Sequence, residues 1–158
     1  MDKAEFLNSY EKFQLGVLPT EQIHPKTQGL SSLVKSDMTA AIHTLKEVDL
    51  AAIDQLKKKS DQIEKLRSVC REVLKSGGRI FLCGCGATGR LSMLSEFLFR
   101  EKYQTDQVVS FMAGGDVALV HSLEGFEDYP NLGARHLMQM GFTEKDLLIS
   151  STEGGETP

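Results

Sequence analysis

The run Arg79-Ile80-Phe81-Leu82-Cys83-Gly84, followed at once by Cys85-Gly86-Ala87-Thr88-Gly89-Arg90, constrains this chain more than any other stretch. A short, almost wholly apolar run is what a strand buried on both faces requires, and such strands belong to parallel sheets. A glycine-rich turn then hands over to residues 91–102, where Met93, Leu94, Phe97 and Leu98 make a broad apolar helical face. The unit repeats. A second strand is expected over 108–113, closed by Gly114-Gly115. Asp116 is read as the cap of a short helix reaching Glu124 and stopped by Gly125. A further helix follows Pro130, runs to Met140 and stops at Gly141, and a third strand occupies 146–151. Strand alternating with helix predicts an α/β layered fold with a parallel sheet and right-handed crossovers.

Upstream the pattern is different. Gly16, Pro19, Pro25 and Gly29 punctuate residues 1–33, which read as an irregular N-terminal arm with a short helix over 4–13. Two leading helices are expected within 34–76. Ser36 or Asp37 caps the first, whose apolar positions are Val34, Met38, Ala41, Ile42, Leu45 and Val48; Asp49 caps the second, with Ile53, Leu56, Ile63, Leu66, Cys70, Val73 and Leu74. Gly77-Gly78 ends it. The expected organisation is an arm over 1–33 and a domain over 34–158, whose sheet region is 79–158.

Composition narrows the function classes. Eighteen Lys and Arg against 22 Asp and Glu, a net charge of −4, leave no basic block for a dedicated nucleic-acid binder. No apolar run approaches the roughly 20 residues of a membrane span. The start, MDKAEFLNSYEK, carries no signal-peptide core. Cys70, Cys83 and Cys85 supply neither a disulfide framework nor a spaced zinc set, so a reducing cytoplasm is the expected setting.

Three segments carry chemistry. In the first, Gly84 to Arg90, glycines let backbone approach a ligand, and the amides and dipole of the helix that follows favour an anion such as phosphate. Thr88 adds a hydroxyl and Arg90 a charge. The segment is not a P-loop, since no Gly-Lys-Ser/Thr follows. Gly84-x-Gly86-x-x-Gly89 does match the spacing of a dinucleotide fingerprint, with Asp106 or Asp116 as the acidic partner, so that alternative stays open on the motif alone. The second segment, Ser151-Thr152-Glu153-Gly154-Gly155-Glu156-Thr157-Pro158, again leaves a strand, though two glutamates stand where an anion would sit. The third, Glu124-Gly125-Phe126-Glu127-Asp128, is either a solvated turn or the source of a general acid or base. Cys83 reads as core and Cys85 as a small loop residue. His24, His43, His121 and His136 show no ligand spacing, and Met138 and Met140 read as ordinary packing or, in a truncated chain, as a former interface left exposed.

Taken in order, these pieces resemble the N-terminal half of the sugar isomerase (SIS) domain family, in the branch that contains N-acetylmuramic acid 6-phosphate etherase and the glucokinase regulatory protein. Thr20-Glu21…Pro25-x-Thr27, Gly77-Gly78-Arg79, Gly84 to Leu91, Ala113-Gly114-Gly115, Glu124 to Asp128 and Gly154…Thr157-Pro158 carry the likeness. It implies a flavodoxin-like three-layer sandwich around a five-stranded parallel sheet, of which three strands fall in this chain, so that 158 residues are expected to be a cut through a domain. It implies a phosphorylated sugar as ligand, no metal or organic cofactor, a homodimer, and either lactate-releasing ether elimination or regulation of a sugar kinase.

The residues the resemblance assigns to the ligand are Gly84, Gly86, Ala87, Thr88, Gly89, Arg90, Gly114, Gly115, Glu124, Gly154 and Thr157, with Glu127 as the acid or base. Ala87 stands where the etherase has Thr, Gly154 replaces a serine and Glu156 an arginine. The second catalytic glutamate is replaced by Leu98, with Glu96 about 200° away around the helix and Glu101 one turn on. That replacement favours binding without chemistry.

Overall fold

The computed structural model describes residues 3, 4, 7, 19–123 and 125–154, which divide into two compact units, 1–62 and 63–158. In the first unit, 3₁₀ turns over Pro19–Glu21 and Pro25–Thr27 precede α1 (Leu30–Ser36) and α2 (Met38–Lys57). The Asp37 side chain accepts the Ala40 amide at 2.9 Å, which ends α1 and starts α2 at one residue. Ala41 is the buried residue of α2, and Lys26 reaches across to Glu47 at 3.0 Å.

This unit corrects three expectations. α1 begins at Leu30, inside the arm assigned to 1–33. Asp49 lies within α2 and caps nothing. The second break falls instead at Lys58-Lys59, before α3 (Ser60–Lys75), where the Lys58 and Lys59 amides close back on the Gln55 and Leu56 carbonyls in turn. The short helix expected over 4–13 lies largely outside the described residues.

In the second unit, β1 (Ile80–Gly84), β2 (Val108–Met112) and β3 (Leu147–Ser151) form a parallel sheet in the order β2-β1-β3. Phe81, fully buried at the centre of this sheet, packs edge-on to Phe142 with ring centroids 5.3 Å apart. Ile80, Val108, Met112 and Ala118 complete the buried apolar set here. The strand limits sit within a residue of those expected.

α4 (Gly86–Tyr103) connects β1 to β2, and α5 (Val117–Val120) and α6 (Pro130–Gln139) connect β2 to β3. α4 starts five residues earlier than its apolar pattern suggested, so Gly86 to Arg90 are its first turn and a half rather than loop. α5 is one turn long and stops well short of Glu124. Asp116 makes no side-chain cap there, because its own backbone is already helical (φ −62°, ψ −26°).

The amino ends of β1 and β3 are joined by one carboxylate. Asp146, whose side chain is 3% exposed, accepts the Arg79 amide at 2.7 Å, the Arg79 guanidinium at 3.2 Å, and the Thr143 amide and hydroxyl at 2.8 and 3.0 Å. Burial pushes its pKa up, but these four donors outweigh that and hold it below the ordinary carboxylate value. The guanidinium also donates to the Met140 and Gly141 carbonyls and lies 4.7 Å from the Phe81 ring centroid.

Candidate functional site at the carboxyl edge of the sheet

The chain leaves β1 toward β2 on one side and later crosses to β3 on the other. The carboxyl ends of β1 and β3 therefore flank the point where the winding direction reverses, the place where open parallel sheets bind ligands. Gly84 pairs in register with Ser151, so the two glycine-containing segments leave the sheet side by side. Thr88 ties them together: its hydroxyl proton is shared between the Cys85 carbonyl at 2.8 Å and the Ser151 carbonyl at 2.9 Å. That hydroxyl is thus engaged within the protein rather than held out toward a ligand.

The three fingerprint glycines have separate physical roles. A Cβ on Gly84 would stand 2.6 Å from the Thr88 hydroxyl and 2.9 Å from both the Gly89 nitrogen and the Ser151 oxygen. Gly86 has a positive φ of 49°, which turns the chain into α4. A Cβ on Gly89 would meet the Met112 Cβ at 2.6 Å, so its absence lets α4 lie against β2. The first intrahelical bond of α4 runs from the Gly89 amide to the Cys85 carbonyl. The amides of Gly86, Ala87 and Thr88 precede it, at the positive end of an 18-residue helix.

Two cavities open at this edge. A smaller one of about 170 Å³ is bordered by Cys85, Gly86, Arg90, Ser122 and Glu127. A larger one of about 640 Å³ extends between the sheet and α6, from Gly84, Gly114, Gly115 and Thr152 at its mouth to Phe111, Leu132, His136 and Leu148. Glu127 borders both and is the carboxylate among their described lining residues.

Of the residues singled out in the sequence, Gly84, Gly86, Arg90, Gly114, Gly115 and Glu127 therefore converge here. Arg90 donates to the Ala118 carbonyl at 3.2 Å, which steadies it at the cavity wall. Ala87 is exposed on the first turn of α4, and Gly89 is buried beneath it. Gly154 follows β3 without lining either cavity. Glu124 and Thr157 lie outside the described residues.

Leu98 sits 12 residues into α4, roughly 18 Å along the helix from its start. It is 56% exposed and borders neither cavity. Glu96, on a different face as its spacing required, accepts the Ser110 amide at 2.6 Å and hydroxyl at 2.5 Å and pairs with Arg100 at 2.9 Å. Its carboxylate serves β2, not a ligand.

In the sequence, His136 shows no ligand spacing. The structure puts it in the larger cavity with its ring 5.0 Å from that of Phe111. The available signal was its place four residues after Leu132 on α6, which turns it to the same helix face. Among the described residues, no group of three or more His, Cys, Asp or Glu stands ready to hold a metal ion. No helix among them is long and apolar enough to cross a membrane.

Comparison with known proteins identifies the family. N-acetylmuramic acid 6-phosphate etherases are 30% identical over 141 residues in Francisella philomiragia, 33% over 150 in Photorhabdus laumondii and 35% over 145 in Crocosphaera subtropica. These matches cover 88, 93 and 90% of this chain but 47, 48 and 47% of those proteins. The chain thus spans about half the length of the curated relatives it matches. The family described as the glucokinase regulatory protein N-terminal SIS domain matches residues 61–158, which include the whole sheet and both cavities. The chain therefore belongs to the glucokinase regulatory protein N-terminal SIS domain family.

Proposed function

We propose that this chain binds a phosphorylated sugar at the carboxyl edge of its sheet, with the phosphate against the first turn of α4. The observation that carries this reading is the meeting of the β1 and β3 turns at the reversal point, beside the free amides of Gly86 and Ala87 and the cation of Arg90. Backbone donors, a helix dipole and one guanidinium form a site for a dianion that needs no metal or organic cofactor. Gly114 and Gly115, both at positive φ (82° and 63°), keep side chains out of the mouth. The setting proposed is the cytoplasm, with the protein acting as a homodimer.

The etherase names of the relatives suggest lactate-releasing elimination, with Glu127 as acid or base. The non-catalytic reading, a sugar-phosphate-sensing regulator of a sugar kinase, is favoured by a specific observation. Glu127 is the carboxylate at the described cavities, Leu98 lies away from them, and Glu96 is committed to Ser110. An acid–base group typically contributes about 10²–10⁴-fold in rate, so one glutamate without its partner leaves little turnover.

A thermal melt with hexose 6-phosphates tests the binding. A ligand at about 100 times its Kd stabilises by roughly 2.7 kcal/mol, and no shift with any sugar phosphate overturns the reading. Incubation with N-acetylmuramic acid 6-phosphate then separates the two activities. Bound substrate without lactate supports the regulator, and lactate that disappears in Glu127→Gln supports the lyase.

A further inference from the structure

The larger cavity does not have the lining that a hexose alone calls for. Its mouth is polar, with Glu127, Thr152 and the turns after β1 and β3. Beyond the mouth the walls become apolar: Phe111 and Leu148 project from the sheet, and Leu132 and Leu137 from α6. Some of the polar groups at this depth are engaged, and Arg135 and Gln139 of α6 also border the cavity. The Cys83 thiol and Ser150 hydroxyl face each other across β1 and β3 at 3.1 Å, and His136 lies against the Phe111 ring. A sugar pushed this far in would exchange water at several hydroxyls for walls that are mostly apolar, which is unfavourable for each one left unmatched.

The dimensions point the same way. Leu148 lies three strand residues before Ser151, about 10 Å along β3 from the mouth. A cavity of about 640 Å³ falls in the range that takes drug-sized, largely apolar ligands. Gly133 of α6 lines this wall, and nothing lies within 4 Å of where its Cβ would be. The larger cavity adjoins the smaller one at the start of α4, since Cys85, Met112, Ala113 and Glu127 border both.

We infer that the cleft between the sheet and α6 takes the apolar portion of an amphipathic phosphate ester, of the aryl or alkyl class, whose phosphate rests at the start of α4. The inference deepens the proposed function and rests on its placement of the phosphate. An aromatic group is favoured there, because the Phe111 and His136 rings, with centroids 5.0 Å apart, both line the cavity.

Isothermal titration of the full chain with inorganic phosphate, glucose 6-phosphate, 1-naphthyl phosphate and 1-naphthol tests this. The expected result is that 1-naphthyl phosphate binds at least about tenfold more tightly than glucose 6-phosphate. Gly133→Leu fills the cleft at a helix position where the added side chain raises helix propensity, so the variant is expected to fold. It should abolish the advantage of the naphthyl ester and leave inorganic phosphate binding unchanged. Equal affinity for the sugar and naphthyl esters, or an advantage that survives in Gly133→Leu, overturns the apolar cleft while the phosphate site stands. Naphthol binding as tightly as its phosphate overturns the phosphate placement, and with it the ester proposed here.

Discussion

The two ends of the same three strands are built on opposite terms. At the amino end, Asp146, Arg79 and Thr143 form a network in which each of the four donors to the carboxylate is matched and the carboxylate is nearly out of water. At the carboxyl end, backbone comes as close as glycine permits at Gly84 and Gly89, and immediately beyond it the chain opens into two cavities. Side-chain hydrogen bonds close one end, and the lack of side chains shapes the other. The difference teaches that charge in this domain is used for stability where water is excluded, while close backbone approach shapes the opposite edge.

Four substitutions can break or sharpen that contrast. The largest effect is expected from Gly89→Ala. Its Cβ meets the Met112 Cβ and the Gly84 carbonyl at 2.6 and 2.8 Å, so α4 must move away from β2. A loss of about 3 kcal/mol in urea unfolding is expected. A loss below about 1 kcal/mol would show that the carboxyl edge is not set by close backbone packing.

Asp146→Asn comes next, at about 2 kcal/mol, because the amide turns an NH₂ toward donors that had a carboxylate. The same group sets a pH dependence. Its folded-state pKa is lowered, so its contribution is present above the unfolded value of about 3.9 and is lost as pH falls through the folded value. Unfolding midpoints measured from pH 6 down to pH 2 should therefore fall less steeply in Asp146→Asn than in the wild type. Ligand affinity at neutral pH should be the same in both, and a change of more than threefold would mean that the two ends are coupled.

Gly115→Ala separates conformation from space. Nothing lies within 4 Å of the added Cβ, but φ is +63°, so a loss of about 1 kcal/mol from backbone strain alone is expected in the same unfolding assay. Glu127→Gln should change stability least, by less than about 0.5 kcal/mol, while any lactate released by the wild type falls about 10²-fold or more. A large stability loss there would place Glu127 with the structural carboxylates of the amino end.

Much of the sheet was legible because its strands are short apolar runs bounded by Gly78, Gly84 and Gly114, and buried parallel strands have few other ways to look. Asp37 was legible as a cap because it precedes an apolar helical pattern. Asp49 imitated the same signal, yet Leu45, Val48 and Ile53 carry the helical phase through it, and an aspartate facing solvent is tolerated in a helix interior. The break at Lys58-Lys59 contains neither glycine nor proline, so no local residue announces it. The start of α4 was hidden for the converse reason: Gly86 and Gly89 read as loop, whereas one is there for its dihedral and the other for close packing. The glycines of the site could be found from their spacing. The cavity under α6 could not, since it arises from long-range placement of Phe111, Leu148 and His136, which are far apart in the chain.

Glu96 has one more consequence. β2 is an outer strand of the described sheet, and such a strand presents backbone amides that another chain can use to extend the sheet. The Ser110 amide is held by the Glu96 carboxylate at 2.6 Å. A strand approaching along β2 would have to displace an anion from that position before it could pair. The Glu96 side chain thus stands as a guard against aggregation, and this role alone would favour keeping a glutamate at 96.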